Sequence, residues 1–143
     1  MNSIKITNND DLQRALKIRK EVFVKEQKVP EDIEVDEFDI LNGACSHVLL
    51  TVDQEAVGTG RVRLVEHYGK LQRVAILQSY RKHGFGKVII LKLEELASEL
   101  GATKVKLDAQ VHAIGFYEKL GYEVQSDVFQ DAGIDHVLMV KSL

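Results

Sequence analysis

The stretch KLQRVAILQSYRKHGFGKVIILKLEELASELGATKVKLDA, residues 70–109, decides the fold. Its first part, Lys70 to Leu77, reads as a strand whose alternation places Leu71, Arg73, Ala75 and Leu77 on one face. A polar turn with Gly84 and Gly86 follows. Ile89, Leu93, Leu96, Ala97 and Leu100 then recur at helical spacing, and Gly101 is placed to stop that helix. Lys104 to Ala109 is a strand again. The order strand, helix, strand implies a right-handed parallel crossover.

Upstream, Ser46 to Val52 and Val57 to Val65 are strand-like and joined by short turns. With Lys70 to Leu77 they read as an antiparallel meander, in which Val62 and Leu64 lie opposite Arg61 and Arg63. Ser3 to Ile6 is a short strand, and Asn9, Asp10 and Asp11 offer helix caps. Leu12, Ala15, Leu16, Arg19, Val22 and Phe23 follow at helical spacing, so one arginine is set into an apolar stripe. Residues 25–43 have no clear period and read as a loop with room for a helical turn. Downstream, Ala113 to Leu120 is a short helix stopped by Gly121, and Tyr122 to Ser126 and His136 to Val140 are strands. The fold class is therefore α/β, a mixed sheet with helices on both faces, in a single domain over residues 1–143.

Composition narrows the classes. With 45% hydrophobic and 29% charged residues, disorder, collagen and coiled coil are excluded. The apolar run Val88 to Leu91 is far short of the ~20 residues that span a bilayer, so no membrane partner is expected. Met1 to Asp10 is polar and lacks a signal-peptide core. Cys45 is the single cysteine, cannot form an internal disulfide and reads as a buried strand thiol. These features point to a reduced, cytoplasmic compartment. The net charge of −3 hides an uneven distribution. Residues 31–39, EDIEVDEFD, hold six carboxylates, whereas residues 61–92 hold eight lysines and arginines against Glu66 alone. A local basic segment in an acidic chain suits a small anionic ligand, not a nucleic acid, which usually meets a domain-wide basic face.

The turn Arg81-Lys82-His83-Gly84-Phe85-Gly86-Lys87 stands between a strand and a long helix. N–H groups at a helix start lack intrahelical partners, and with the helix dipole they form a phosphate cradle. A P-loop would need glycine at Arg81 and Ser or Thr at Val88. A dinucleotide fingerprint would need glycine at Ile89. Both patterns fail, so the turn reads either as a cradle for a phosphate ligand of another kind or as an ordinary loop whose glycines only make the turn. A second segment, Leu107 to Tyr122, carries a strand end and a helix with Ala113, Phe116, Tyr117 and Leu120. Tyr117 reads either as rim packing or as a phenol held beside a ligand.

Taken together, the two segments resemble the GNAT superfamily of acetyl-coenzyme A-dependent N-acetyltransferases. The first matches its Arg/Gln-x-x-Gly-x-Gly/Ala turn at Arg81, Gly84 and Gly86. The second matches its Ala-x-x-x-Tyr-x-x-x-Gly-aromatic pattern at Ala113, Tyr117, Gly121 and Tyr122. Arg19-x-x-Val22-Phe23-Val24-x-Glu26-Gln27-x-Val29-Pro30, Glu34-x-Asp36-x-x-Asp39 and Asp131-Ala132-Gly133-Ile134-x-His136 are similar to the ElaA-like branch. One departure is Gln110, where many relatives carry asparagine.

The resemblance implies a GNAT-like fold and transfer of acetyl from acetyl-coenzyme A, a co-substrate, to a primary amine of a small molecule. Transfer is by direct attack in a ternary complex, with no metal. Carried over, the backbone of His83, Gly84, Phe85, Gly86 and Lys87 holds the pyrophosphate, and Arg81 and Lys82 add charge. The pantetheine arm pairs with Ile76 and Leu77, where that strand splays from the next, and Gln110 and Phe116 complete the coenzyme contacts. A backbone N–H there polarises the thioester carbonyl. Tyr117 aligns with the tyrosine that protonates the leaving thiolate. The base is left open among Glu26, His112 and His136. On the acceptor side lie the Lys25–Asn42 loop, Glu26, Gln27, His112 and Arg73, the last of which would hold a carboxylate or phosphate or else form a cross-strand salt bridge. A catalytically silent acyl-coenzyme A binding or regulatory module, a protein N-acetyltransferase, and a homodimer all stay open.

Overall fold

In the computed structural model, which describes residues 1–143, four strands pair antiparallel in sequence order. They are β1 (Asn2–Lys5), β2 (Cys45–Val52), β3 (Glu55–Val65) and β4 (Tyr68–Ile76). α1 (Asn9–Arg19) joins β1 toward β2, and its cap is Asn8, one residue earlier than expected, whose side chain accepts from the Asp11 N–H at 2.9 Å. α3 (Phe85–Glu99) carries the chain from β4 to β5 (Lys104–Gln110), and β4–β5 is the parallel pair of the sheet. β8 (Ile134–Ser142) pairs with β5, and the short strands β6 (Glu123–Val124) and β7 (Phe129–Asp131) pair with β8.

The sheet is buried on both faces. Ile89, Ile90, Leu93, Leu96 and Ala97 of α3 pack on Val48, Leu50, Val57, Val62, Val105 and Leu107. Leu12, Ala15 and Ile18 of α1 pack with Val22 on Ile6, Leu49 and Ala75. The irregular segment is more helical than its lack of period suggests. A π-helical turn, Lys20–Glu26, extends α1, and α2 (Glu31–Glu34) is the expected helical turn.

β4 does not keep the even alternation expected of it. Pairing with β3 runs Thr59↔Ala75 and then Arg61↔Gln72, so Arg73 and Val74 together face Gly60. This is a β-bulge, with Arg73 at φ +57°. One inserted residue reverses the faces, so Leu71 packs under α3 while Ala75 packs under α1. A Cβ at Gly60 would stand 2.8 Å from Leu93 Cδ1, so glycine lets α3 close on the sheet at the bulge. The β4–β5 pairing is short, from Tyr68↔Lys104 to Lys70↔Lys106, and beyond it the strands part.

On the α1 side the bulge meets a charge network. Arg61, which alternation alone would put on the solvent face, is only 1% exposed. Arg19 donates to Glu34 (2.6 and 3.0 Å) and Asp39 (2.6 and 2.9 Å). Arg61 donates to Asp36 and Asp39, each at 2.8 Å. Arg73 Nε donates to the Glu34 carboxylate at 3.0 Å and to its carbonyl at 3.1 Å. Half of the acidic run is thus turned inward, three carboxylates against three guanidinium groups. Burial by itself would raise the Asp39 carboxyl, but hydrogen bonds from Arg19 and the Asp36 N–H, with the charges of Arg19 and Arg61, hold it well below the usual range. Hydrogen bonds from Arg61 lower Asp36 likewise.

These carboxyls titrate below their unfolded values, so their stabilisation is complete above the ordinary carboxylate pKa of ~3.9 and is lost as pH falls below it. Urea midpoints measured from pH 7 downward should therefore drop through that window. Asp39→Ala leaves both Arg19 and Arg61 short of a buried partner and should cost about 3–5 kcal/mol in urea unfolding at pH 7. A loss below about 1 kcal/mol, the worth of an exposed pair, would contradict this assignment of the network.

Candidate active site

The parting of β4 and β5 opens a cavity of about 790 Å³. Its walls are β4 from Leu71 to Ile76, Leu107, Asp108 and Gln110 of β5, the turn before α3, the start of α4 (Ile114–Lys119) and the β7–β8 hairpin. Backbone groups alternate along a strand, and Leu77 spends its N–H on Val57 O (2.9 Å). The N–H and C=O of Ile76 consequently face the gap, where the carbonyl accepts from Arg81 Nε at 2.9 Å. Leu77 does not reach the gap. Its carbonyl accepts from the Tyr80 N–H, and its side chain packs on the α1 cluster.

The turn is built for an open helix start. Gly84 precedes α3 at φ +80°, a left-handed conformation that favours glycine, and supplies no side-chain cap. The first N–H groups of α3, at Phe85, Gly86 and Lys87, are left to an outside acceptor. A Cβ on Gly86 would stand 3.2 Å from Phe116 Cζ, so the Phe116 ring lies against the turn at this point. The side chains of His83 and Lys87 are exposed and take no part in the cavity wall, so only their backbone belongs to the cradle. Lys82 lines the cavity. Arg81, expected to add charge to the cradle, instead pairs with Glu26 at 2.8 and 3.0 Å and holds the Ile76 carbonyl. Glu26 is thereby an ion-pair partner and not a free base.

Tyr117 lines the same cavity, in edge contact with Phe116 and Tyr122, and its hydroxyl makes no hydrogen bond within the chain. Burial pushes its phenol up to about 12. Tyr122, by contrast, is structural, since its hydroxyl donates to Glu94 at 2.8 Å behind the site and Glu94 also accepts from Lys141.

Across the gap, Gln110 donates to Gln27 Oε1 (2.9 Å), and His112 Nε2 donates to Gln110 Oε1 (2.7 Å). Gln27, Gln110 and His112 are thus one chain on the cavity wall. His136 is buried, stacked on Phe129, and donates from Nδ1 to Ile134 O (2.7 Å), which leaves Nε2 as its acceptor in the neutral ring. Arg73 also reaches the cavity, yet its Nε is committed to Glu34 and its Nη2 lies 3.6 Å from Asp36. An acceptor anion there would compete with Glu34, so the structure puts Arg73 in an ion-pair network, with partners on and after the helical turn α2 and not on a neighbouring strand. The structure adds Tyr80, Phe23, Asp108 and Asp131 to the wall; Phe23 and Asp131 belong to the stretches that carry the ElaA-like resemblance but have no assigned role there. Tyr80 has a local signal, an aromatic one residue before the basic turn, and Asp108 has none of its own. No serine, threonine or cysteine lines the cavity, and Cys45 is buried on β2.

An Acetyltransferase (GNAT) domain model matches residues 8–143. YyaT of Bacillus subtilis (strain 168) is 50% identical over 143 residues, covering the whole of this chain and 97% of YyaT. An acyl-CoA N-acyltransferase from Pseudomonas aeruginosa superposes with a TM-score of 0.86 at 27% identity, over 99% of this chain and 100% of that one. Escherichia coli ElaA shares the fold, with a TM-score of 0.86 at 24% identity over 99% of each chain.

Proposed function

The chain belongs to the GNAT acetyltransferase family, and on that premise we propose that it transfers acetyl from acetyl-coenzyme A to the primary amine of a small molecule, both held at once. The observation that carries this reading is the continuity of three features in one cavity. They are the β4–β5 gap, the uncapped start of α3 and the unpartnered hydroxyl of Tyr117. The residues fit a coenzyme: α3 begins with free amides, Gly84 leaves open space where a Cβ would stand, and Lys82 supplies a cation beside them.

Acetyl-coenzyme A supplies an acetyl group activated as a thioester. The α3 amides and Lys82 hold an anion at one end of the cavity, and Ile76 presents backbone N–H and C=O along the gap. Phe116 lies against the turn at Gly86, and Phe85 lines the cavity beside it. That the wall carries no serine, threonine or cysteine supports direct transfer, in which much of the advantage is positioning. Tyr117 keeps its proton throughout neutral pH because its phenol sits at about 12. An ordinary thiol sits near ~8.5, so the hydroxyl acts by hydrogen-bonding a forming thiolate, and complete proton transfer follows the proton lost by the amine. The cavity, at about 790 Å³, is the size of a small-molecule site.

Titration with acetyl-coenzyme A and assay of free-thiol release with a panel of small amines test the reading as a whole. Gly86→Val displaces Phe116 from the turn and should weaken acetyl-coenzyme A binding by about tenfold or more in calorimetry. Unchanged affinity in the folded variant would remove the turn from the coenzyme site. Tyr117→Phe keeps the ring and its packing, so coenzyme affinity should change little while the single-turnover rate falls roughly 10²–10⁴-fold. A normal rate would show that the thiolate leaves without the hydroxyl.

A further inference from the structure

Formal charge around the acceptor end of the cavity is not balanced. Every arginine there is engaged. Arg19, Arg61 and Arg73 are held by Glu34, Asp36 and Asp39, and Arg81 by Glu26. The free cation of the wall, Lys82, stands at the opposite end, on the turn. Two carboxylates on the wall, Asp108 and Asp131, have neither an ion pair nor a hydrogen bond, and both are exposed to the cavity.

Strand register fixes where these carboxylates stand. Asp108 of β5 lies opposite Leu138, and Asp131 of β7 lies opposite Ile134. Residues directly opposite one another share a face, and residues an even number apart along a strand share it too. Leu138 and Ile134 are both on β8, so Asp108, Asp131 and His136 all belong to one face of the sheet. Four residues of strand and two strand spacings separate the two backbone positions, about 16 Å in all, which side chains of this length do not close. They are too far apart to share one ammonium or one metal ion. Between them on this face the register places Gln110, His136 and Ile134, and Phe23, Val29 and Ile33 also line the cavity, so no second carboxylate or cation of the wall intervenes there.

Resting on the acetyl-transfer reading, we infer that the acceptor is an elongated polycation, an aliphatic diamine or polyamine. Asp108 stands beside the gap and attracts the amine that reacts, Asp131 holds a second ammonium group at the far end, and the methylene chain between them runs past Gln110 and His136 against Ile134 and the apolar side chains of the wall. The low-dielectric walls focus the unbalanced negative charge, which favours cationic acceptors and opposes anionic ones. An amino acid or a phosphorylated amino sugar would bring its anion against Asp131 and find Arg73 already held by Glu34.

The test uses three acceptors of equal length that differ only at the far end: octamethylenediamine, octylamine and the corresponding amino-octanoate, with acetyl-coenzyme A saturating. The expected order of kcat/KM is diamine, monoamine, amino acid, with about tenfold between steps at low salt, the ratio for one ~1.4 kcal/mol contact. Added salt should compress the series. Asp131→Asn keeps the shape and should shrink the diamine-to-monoamine ratio by about tenfold. A flat or reversed order, no transfer to any of the three, or an unchanged ratio in the Asp108→Asn, Asp131→Asn double variant would overturn the inference. Calorimetry with acetyl-coenzyme A separates the two failures. Binding that persists while the order is flat refutes the acceptor class alone, and absent binding refutes acetyl transfer itself.

Discussion

The structure turns on the bulge in β4. Arg73 takes a left-handed conformation opposite Gly60, and one extra residue enters the strand. β4 has just finished three parallel pairs with β5 when this happens, and the two strands do not meet again. A bulge bends a strand and raises its twist, so the parting has a local cause. Everything that resembles a site lies along that opening. Ile76 faces it, the turn at Gly84 continues it, and α4 roofs it with Phe116 and Tyr117.

A non-glycine residue at positive φ costs of order 1–3 kcal/mol and persists only where its surroundings determine it. Here the surroundings are the buried ion pairs. Arg73 is fixed by both the carboxylate and the carbonyl of Glu34, which is 2% exposed, and Glu34 is fixed in turn by Arg19. The same network draws the acidic segment onto the sheet, and this makes α2 and Ile33 a wall of the cavity. Removing charges from water is expensive, so such a network is a weak source of net stability. What it provides is geometry: it holds the bulge, and the bulge holds the gap open.

Much of this was legible in the sequence because the relevant signals are local. The strand, glycine turn, helix and strand of residues 70–109 are contiguous, and each has its own period or stop signal. The turn and the Tyr117 helix were readable from spacing for the same reason. Period-two alternation cannot register a one-residue insertion, so it gives Leu71 and Ala75 one face where the structure gives them two; Leu77 is expected in the gap only through the resemblance, and its N–H is spent on Val57 instead. Ion pairs between residues far apart leave no periodic trace. Arg19 in an apolar stripe was a hint, but its partners Glu34 and Asp39 lie 15 and 20 positions on, and Arg73 is 39 from Glu34. Arg81 and Glu26 are 55 apart, which is why a residue expected to face phosphate turns out to clamp the β4 end.

The cavity then has a direction: free amides and Lys82 stand at one end, the unpaired Asp108 and Asp131 stand toward the other, and Tyr117 is on its wall. On the proposed reading the coenzyme lies along the opening between β4 and β5, from the start of α3 inward. Amide-resolved NMR titration with acetyl-coenzyme A measures this most directly. Large shifts are expected at Ile76, Phe85, Gly86 and Lys87, with the amides of β1 undisturbed. Saturable binding that leaves those four amides in place while others move would contradict it.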